Sequence, residues 1–440
     1  MVHLANNESS QMLELPSSAA HLSKLERRET KNGTEPLYTI CKATKLSDQK
    51  EVSPVKRFCS IMTQLLQVFP RAEFQQAVNA TGAERHCRGF ASWDHFVSML
   101  YSHLGDAQSL REITGGLASC EGRLEQWGMK APKRSTLAYA NQHRPWQLFE
   151  RVFYNTVEHC RGELGARKTR FRFKNPLLSI DSSVVTLCMK MFPWAHWSRL
   201  KGAVKLHVAL DHAGYLPEAL VITTGKYSEL TIARRRRYPE GTILVMDRGF
   251  LDFGWFYQLQ RQGIFFVTRM KTENPYEVVQ QRPIIEGTGI VSDHLIRLTG
   301  KKAGKRYPEL LRLVTLETDE GKRLEFLTNH MDLAASTIGE IYKDRWQIEV
   351  FFKLIKQNLR IKTFVGTSAN AVWTQIWTAL IAMLLIKFLQ LKSRFGWSFS
   401  NLVYFLRMNL LVSRDLWAWL DAPFNDMHHP PPAQLNFQWR

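Results

Sequence analysis

No Cys-x-x-Cys pair occurs in this chain, and its six cysteines (Cys41, Cys59, Cys87, Cys120, Cys160, Cys188) are scattered. A zinc ribbon and a redox dithiol are thereby excluded, and neither His86-Cys87 nor His159-Cys160 has zinc-ligand spacing. All six cysteines are expected to be reduced structural thiols of a cytoplasmic protein. No Gly-rich phosphate loop of the G-x-x-x-x-G-K-[ST] type is present, so nucleotide hydrolysis is not expected. The first 50 residues lack the apolar segment of a secretion signal. The longest mostly apolar stretch, Ile376 to Ile386, is too short to span a bilayer and is expected as a buried core helix. Acidic residues are in deficit: 40 Asp and Glu stand against 59 Lys and Arg, a net charge of +19. Such a surplus favours a polyanionic partner, nucleic acid or an acidic membrane surface.

What is present is enough for two or three packed domains: 440 residues, 45% of them apolar. Residues 1–52 are polar and aperiodic and are expected as a disordered tail. Residues 53–165 carry helical periodicity, as in Phe58, Ile61, Met62, Leu65, Leu66, Phe69 and in Phe90, Trp93, Phe96, Val97, Leu100. Three short helical pieces lie between the longer ones. One begins at Ser109 and is expected to stop at Gly115-Gly116, the second centres on Leu124 and Trp127, and the third follows Ser135 as its cap. With Lys130, Lys133 and Arg134 beside the last piece, they suggest a helix-turn-helix-like DNA reader; an ordinary helical domain is the alternative.

Residues 170–271 change to strand texture. Runs at Leu177–Val185, Val204–Leu210 and Tyr215–Thr223, then Thr242–Met246 and Ile264–Thr268 with a helix around Trp255, predict a mixed α/β core. Residues 272–335 are turn-rich and read as a small β insertion, with pieces at Gly289–Val291, Leu295–Leu298, Leu311–Leu316 and Leu324–Leu327. Residues 336–400 resume helical periodicity, with Ile341, Ile348 and Ile355 seven apart, and 401–440 are a helical segment and a loose end at His428-His429-Pro430.

Three carboxylates stand out. Asp181 lies within the first core strand, where an acid is costly unless paired or bound to metal. Asp247 ends the fourth strand, and chemistry in open α/β sheets gathers at carboxyl strand ends. Glu349 shares one helical stripe with Tyr342, Arg345 and Lys356, at offsets that return to one face. Alone, each acid is more commonly structural, as a turn, a cap or a solvated face. Together, two strand Asp and a helix Glu can converge on Mg²⁺ or Mn²⁺, and two such ions about 4 Å apart can activate a nucleophile and stabilise a leaving oxygen in phosphoryl transfer. Arg345, Lys356 and Tyr342 would then grip the phosphate backbone. Arg269, just past the fifth strand, borders the same mouth. The four-arginine run Arg234–Arg237 reads equally as phosphate contact or solvated helix face. Trp346 lies off the catalytic stripe and is expected in the core, as are Cys188 and His207 on their strands.

The runs Ile180-Asp181-Ser182-Ser183 and Met246-Asp247-Arg248-Gly249-Phe250, with the Tyr342, Arg345, Glu349, Lys356 spacing, resemble the DDE transposases of the type 4 insertion-sequence family and its Y-R-E-K signature. Lys133 to Asn141 is similar to the N-terminal helical domain of one subgroup. The resemblance covers roughly residues 53–400. It implies an RNase H-like core split by a β insertion, preceded by a helical DNA-binding domain and followed by C-terminal helices. It also implies cut-and-paste DNA transposition, with Asp181, Asp247 and Glu349 as the triad for two Mg²⁺ or Mn²⁺ ions. The implied partners are double-stranded DNA, as terminal inverted repeats and target, and a second copy of the chain in the DNA complex. The implied location is the bacterial cytoplasm at the nucleoid, with no membrane association. Arg269 matches an Arg that touches the DNA end in relatives. Some relatives flip a base onto a Trp of the insertion; here no Trp falls between Trp255 and Trp346, and Tyr276 or Tyr307 is the aromatic face on hand. The family's Lys, His and acidic run after the third strand is changed to Lys226-Tyr227-Ser228-Glu229. A nuclease of the same fold without strand transfer, and a DNA-binding derivative without catalysis, are the competing readings.

Overall fold

A computed structural model describes residues 58–424 apart from 86, 121, 165–169, 199–200 and 359–363. The expected tail at 1–52, Cys41, His86 and the His428-His429-Pro430 end lie outside the described residues.

Six helices come first: α1 (Ile61–Leu66), α2 (Arg71–Thr81), α3 (Ser92–Leu104), α4 (Leu110–Ser119), α5 (Arg134–His143) and α6 (Gln147–Leu164). Ser109 caps α4, its hydroxyl accepting from the Glu112 amide. The helix does not stop at Gly115-Gly116. Gly116 instead permits a close approach, since a Cβ there would sit 2.6 Å from the Tyr101 hydroxyl of α3. The expected helix at Leu124–Trp127 is a run of turns ending at Gly128, whose φ is +64°. α5 starts at Arg134 with Lys133 as its cap residue, so Ser135 is already inside the helix.

Strands β1 (Leu177–Leu187), β2 (His196–Ser198), β3 (Lys201–Asp211) and β4 (Leu216–Thr224) follow. Then come α7 (Glu229–Arg235), β5 (Ile243–Met246), α8 (Phe253–Arg261) and β6 (Phe265–Arg269). β3 is antiparallel to β1 and β4, while β5 runs parallel to both β1 and β6. The order β4-β3-β1-β5-β6, an antiparallel meander followed by two strands parallel to the first, is that of an RNase H-like core. β5 is buried on both faces, as its unbroken apolar sequence requires. Leu244 and Met246 pack toward α8, whereas Ile243 and Val245 share a core with Ile338 and Ile341.

β7 (Tyr276–Gln281), β8 (Ile290–Leu298), a short helix α9 (Ala303–Arg306), β9 (Leu311–Glu317) and β10 (Arg323–Thr328) make up the insertion. It does not stand apart from the core. β10 pairs antiparallel with β6, so the insertion prolongs the core into one ten-stranded sheet with β7 at its edge.

The expected single helix over 336–360 is two: α10 (Ala335–Asp344) and α11 (Trp346–Asn358), with Arg345 between them. The apolar period runs unbroken through both, because Ile341, Ile348 and Ile355 are all buried. α12 (Ala369–Lys392), α13 (Phe399–Asn409) and α14 (Leu416–Asp421) complete the fold. α12 is long and apolar enough to cross a membrane, but 89% of its most apolar window is buried inside the protein. Helices α3, α5 and α6 pack against it: His103 of α3 meets Thr378 at 3.0 Å, and Asn370 donates to the Asn141 and Arg144 carbonyls at 2.9 and 2.7 Å. One hydrophobic core therefore runs from α1 through α12 to the outer face of β1, β3 and β4.

Candidate active site

The parallel pairing of β1 with β5 sets Ile180 opposite Met246. Asp181 and Asp247, the next residue on each strand path, therefore lie side by side, Asp181 within β1 and Asp247 just past the end of β5. Side chains alternate along a strand, so both follow residues directed at α8 and turn to the α10 side. Asp247 is held by the Gly249 amide, which donates to its Oδ1 at 2.8 Å. A Cβ on Gly249 would sit 2.9 Å from that same oxygen. Asp181 Oδ1 accepts from the Ser182 amide at 2.7 Å.

Burial pushes the Asp181 carboxyl up to about 6, with the charges of Asp247 and Glu229 adding to the effect and the Ser182 amide and Arg345 opposing it. Glu349, in the first turn of α11, is met by Arg345 Nη2 at 2.7 Å, and the other terminal nitrogen lies 3.7 Å from Asp181 Oδ2. One guanidinium thus links two of the three acids. Its Nε is buried with no hydrogen-bond partner. Among the described residues, no three His, Cys, Asp or Glu side chains converge closely enough to form a ready metal cage. The structure brings Asp181 beside Asp247 and ties Asp181 to Glu349 through Arg345.

The remaining expected residues fall around this group. The Tyr342 ring lies between Phe326, at 4.9 Å, and the Arg345 guanidinium, at 5.5 Å. Burial raises its phenol, against the charges of Arg345 and Arg269. Lys356 is half-buried, two turns along α11 from Glu349. Arg269 ends β6 and lines a cleft of about 770 Å³ with Arg248, Lys271, Tyr276, His294 and Arg323. Lys133 and Arg134 are exposed at the start of α5, away from these acids in sequence and in element.

Several expectations change. Trp346 is 59% exposed rather than packed. The buried stripe of α11 is Ile348, Phe351, Phe352 and Ile355, and Trp346 points about 200° away from Ile348. Tyr307 is fully buried, so it has no free face for a base; Tyr276 is half-buried at the cleft. Cys188 is exposed, whereas His207 is packed and bonded to Thr223 at 2.9 Å. The arginine run divides: Arg234 pairs with Asp252 and Arg236 with Glu218, while Arg235 and Arg237 face solvent.

Glu229 is the site residue that sequence reasoning passed over. Its Oε1 accepts from the Ser182 hydroxyl at 2.6 Å and lies 3.5 Å from Lys205 Nζ, which places a fourth carboxylate next to Asp181. Only the changed acidic run after the third strand hinted at it.

An RNase H-like sheet with one acid within its first central strand and a second just past the end of the parallel strand beside it defines a class, the enzymes that move phosphoryl groups on nucleic acid. Comparison with known proteins narrows it. Residues 172–385 match the transposase DDE domain family, and residues 59–130 match a domain of unknown function (DUF4372). A protein of Sinorhizobium fredii that carries the name transposase y4zB is 33% identical over 74% of this chain and 93% of its own length. A transposase for insertion sequence element IS5377 of Geobacillus stearothermophilus is 29% identical over 60% of this chain and 69% of its own. Transposase InsG for insertion sequence element IS4 of Escherichia coli is 26% identical over 43% and 44%. The chain belongs to the DDE transposases of the IS4 group, metal-dependent enzymes that cut DNA and transfer its strands.

Proposed function

We propose that Asp181, Asp247 and Glu349 hold two Mg²⁺ or Mn²⁺ ions and that the protein excises its own insertion sequence by cut-and-paste transposition. The observation that carries this is the Asp181–Asp247 juxtaposition, with Arg345 joining Asp181 to Glu349. The donor set fits hard divalent cations, since it offers carboxylate oxygens only. Burial raises Asp181 first and the neighbouring charges of Asp247 and Glu229 add to it; a cation relieves that cost, and Arg345 supplies part of the positive charge in the metal-free state. When bound, the ions polarise the scissile phosphate and activate the attacking oxygen.

The chain's own residues do the rest. Arg345 stands between Tyr342 on α10 and Lys356 on α11, and the three hold phosphates beside the scissile bond. Arg269 and the basic cleft draw in the DNA end. Lys133 and Arg134, exposed on α5, contact the terminal inverted repeat through the helical region 53–165. Residues 170–271 and 336–400 serve as the catalytic core and 272–335 as its insertion, with 1–52 and 401–440 outside the chemistry. A homodimer pairing two ends, in the bacterial cytoplasm at the nucleoid, is the working assembly.

The test is cleavage of a supercoiled plasmid carrying the coding sequence with its native flanking DNA. Wild type should release the element and join it to a target in Mg²⁺ or Mn²⁺, and Asp247→Ala should do neither while still shifting flanking DNA in a gel. Near-normal cutting by Asp247→Ala would refute the assignment. Cleavage without joined products would leave a nuclease.

A further inference from the structure

One buried run of polar groups takes no part in the site described so far. Ser179 Oγ lies 2.7 Å from His212 Nε2, and His212 Nδ1 lies 2.5 Å from Asp344 Oδ2. The Tyr215 hydroxyl donates to Asp344 at 3.2 Å, and Arg170 Nη1 stands 3.5 Å from its Oδ1. Ser, His and Asp in that order are the groups of a nucleophile relay. Ser179, however, is wholly buried in β1, and no substrate reaches its oxygen. The run acts as a clamp.

Its placement gives the clamp a purpose. Ser179 and Asp181 are two apart on β1 and project from the same face. Asp344 and Arg345 are consecutive where α10 ends. Asp344 reaches Ser179 through His212, and Arg345 reaches Asp181 directly. Two rungs therefore join the end of α10 to one face of β1, and Glu349 follows one helical turn after the second rung. The turn bearing His212 is itself fixed, because the His212 amide donates to the Leu177 carbonyl at 3.1 Å. Asp344 is a buried carboxylate whose partners are these few donors, so it has one well-satisfied position.

We propose that the Ser179–His212–Asp344 run is a positioning device that sets where α10 ends, and with it how Arg345 and Glu349 meet Asp181 and Asp247. The proposal rests on those acids being the metal-holding ones. None of its three residues touches DNA or metal; they act through Arg345 and Glu349.

The experiment measures single-turnover cleavage of the same plasmid in Mn²⁺, the Mn²⁺ concentration for half-maximal rate, binding of the flanking fragment, and melting temperature. All four are taken on one preparation each of wild type, His212→Ala, His212→Asn, Asp344→Asn and Asp181→Ala. The expected result for His212→Ala is a cleavage rate about 10–100-fold lower and a raised Mn²⁺ requirement, with fragment binding unchanged. His212→Asn, whose amide can take the place of the Nδ1–H donor, should recover most of the rate. A purely structural role would lower the melting temperature without moving the Mn²⁺ requirement. Folded His212→Ala or Asp344→Asn cutting within about twofold of wild type overturns the clamp. If His212→Ala does not fold, the isosteric Asp344→Asn decides by the same threshold, and if neither folds the proposal falls. Cleavage surviving in Asp181→Ala overturns the acid assignment instead, which separates the two failures.

Discussion

Ile180 lies opposite Met246 across two parallel strands, and that pairing puts Asp181 beside Asp247. A slip of one residue would send one Asp to the α8 side and leave its neighbour alone. Insertion or deletion of a single residue in β5 should therefore abolish cleavage even in variants that still fold and bind DNA, as a plasmid assay with circular dichroism would show.

Loss of either strand acid should be near complete. Ions in such sites supply several kcal/mol to the barrier, so Asp181→Asn should cut roughly 10³-fold more slowly than wild type. The double variant Asp181→Asn/Asp247→Asn should be hardly worse than either single one, because the acids act as a unit. Additive losses in single-turnover cleavage would contradict that.

The raised Asp181 pKa carries a stability signature. An Asp whose folded value is about 6 rather than 3.8 is most at home protonated, so its contribution is complete below pH 4 and lost as pH rises through 6. In metal-free protein, Asp181→Asn should melt at the same temperature as wild type near pH 4. By pH 7 it should be more stable, by on the order of 2 kcal/mol. Mn²⁺ should raise the wild-type melting temperature more at pH 7 than at pH 5, since it binds the ionised acid. Calorimetry at the two pH values, with and without Mn²⁺, reads both effects.

Arg345 spans two carboxylates with one planar fork, which an ammonium cannot copy. Arg345→Lys should therefore rescue little of the cleavage lost in Arg345→Ala. Tyr342→Phe, which keeps the ring on Phe326, should retain most activity. Equal rates for the Lys variant and wild type would show that charge alone suffices.

Lys133 and Arg134 should affect binding without touching the chemistry. Replacing both with Ala should lower the slope of log affinity against log salt by up to about 2. Cleavage at saturating protein should be unchanged. A slope equal to wild type in fluorescence anisotropy would remove these side chains from the DNA interface.

The strands of the core were legible because β1, β5 and β6 are short apolar runs bounded by turns, and the acids were legible because they interrupt or end those runs. β7 was not, since an edge strand reading Tyr-Glu-Val-Val-Gln-Gln has no apolar alternation. The break at Arg345 left the apolar period intact and so left no trace in it. Gly115-Gly116 carried the sign of a helix stop, and only the Tyr101 ring, brought in by folding, shows that Gly116 is there for a close approach instead. Glu229 and His212 escaped notice for a shared reason: each matters through a partner 47 or 132 residues away in sequence.

α12 is the common spine of α3, α5 and α6 and of the helix bearing Glu349, so if the front helices read the DNA ends as proposed, end recognition and cutting should be inherited together. A recombination joint between α6 and β1 would mate helices fitted to one spine with a spine shaped for another, and bury the mismatch. On that proposal, lineages of such elements should change which ends they recognise by substitutions on the outer surface of α5 rather than by trading the whole front half with a distant cousin.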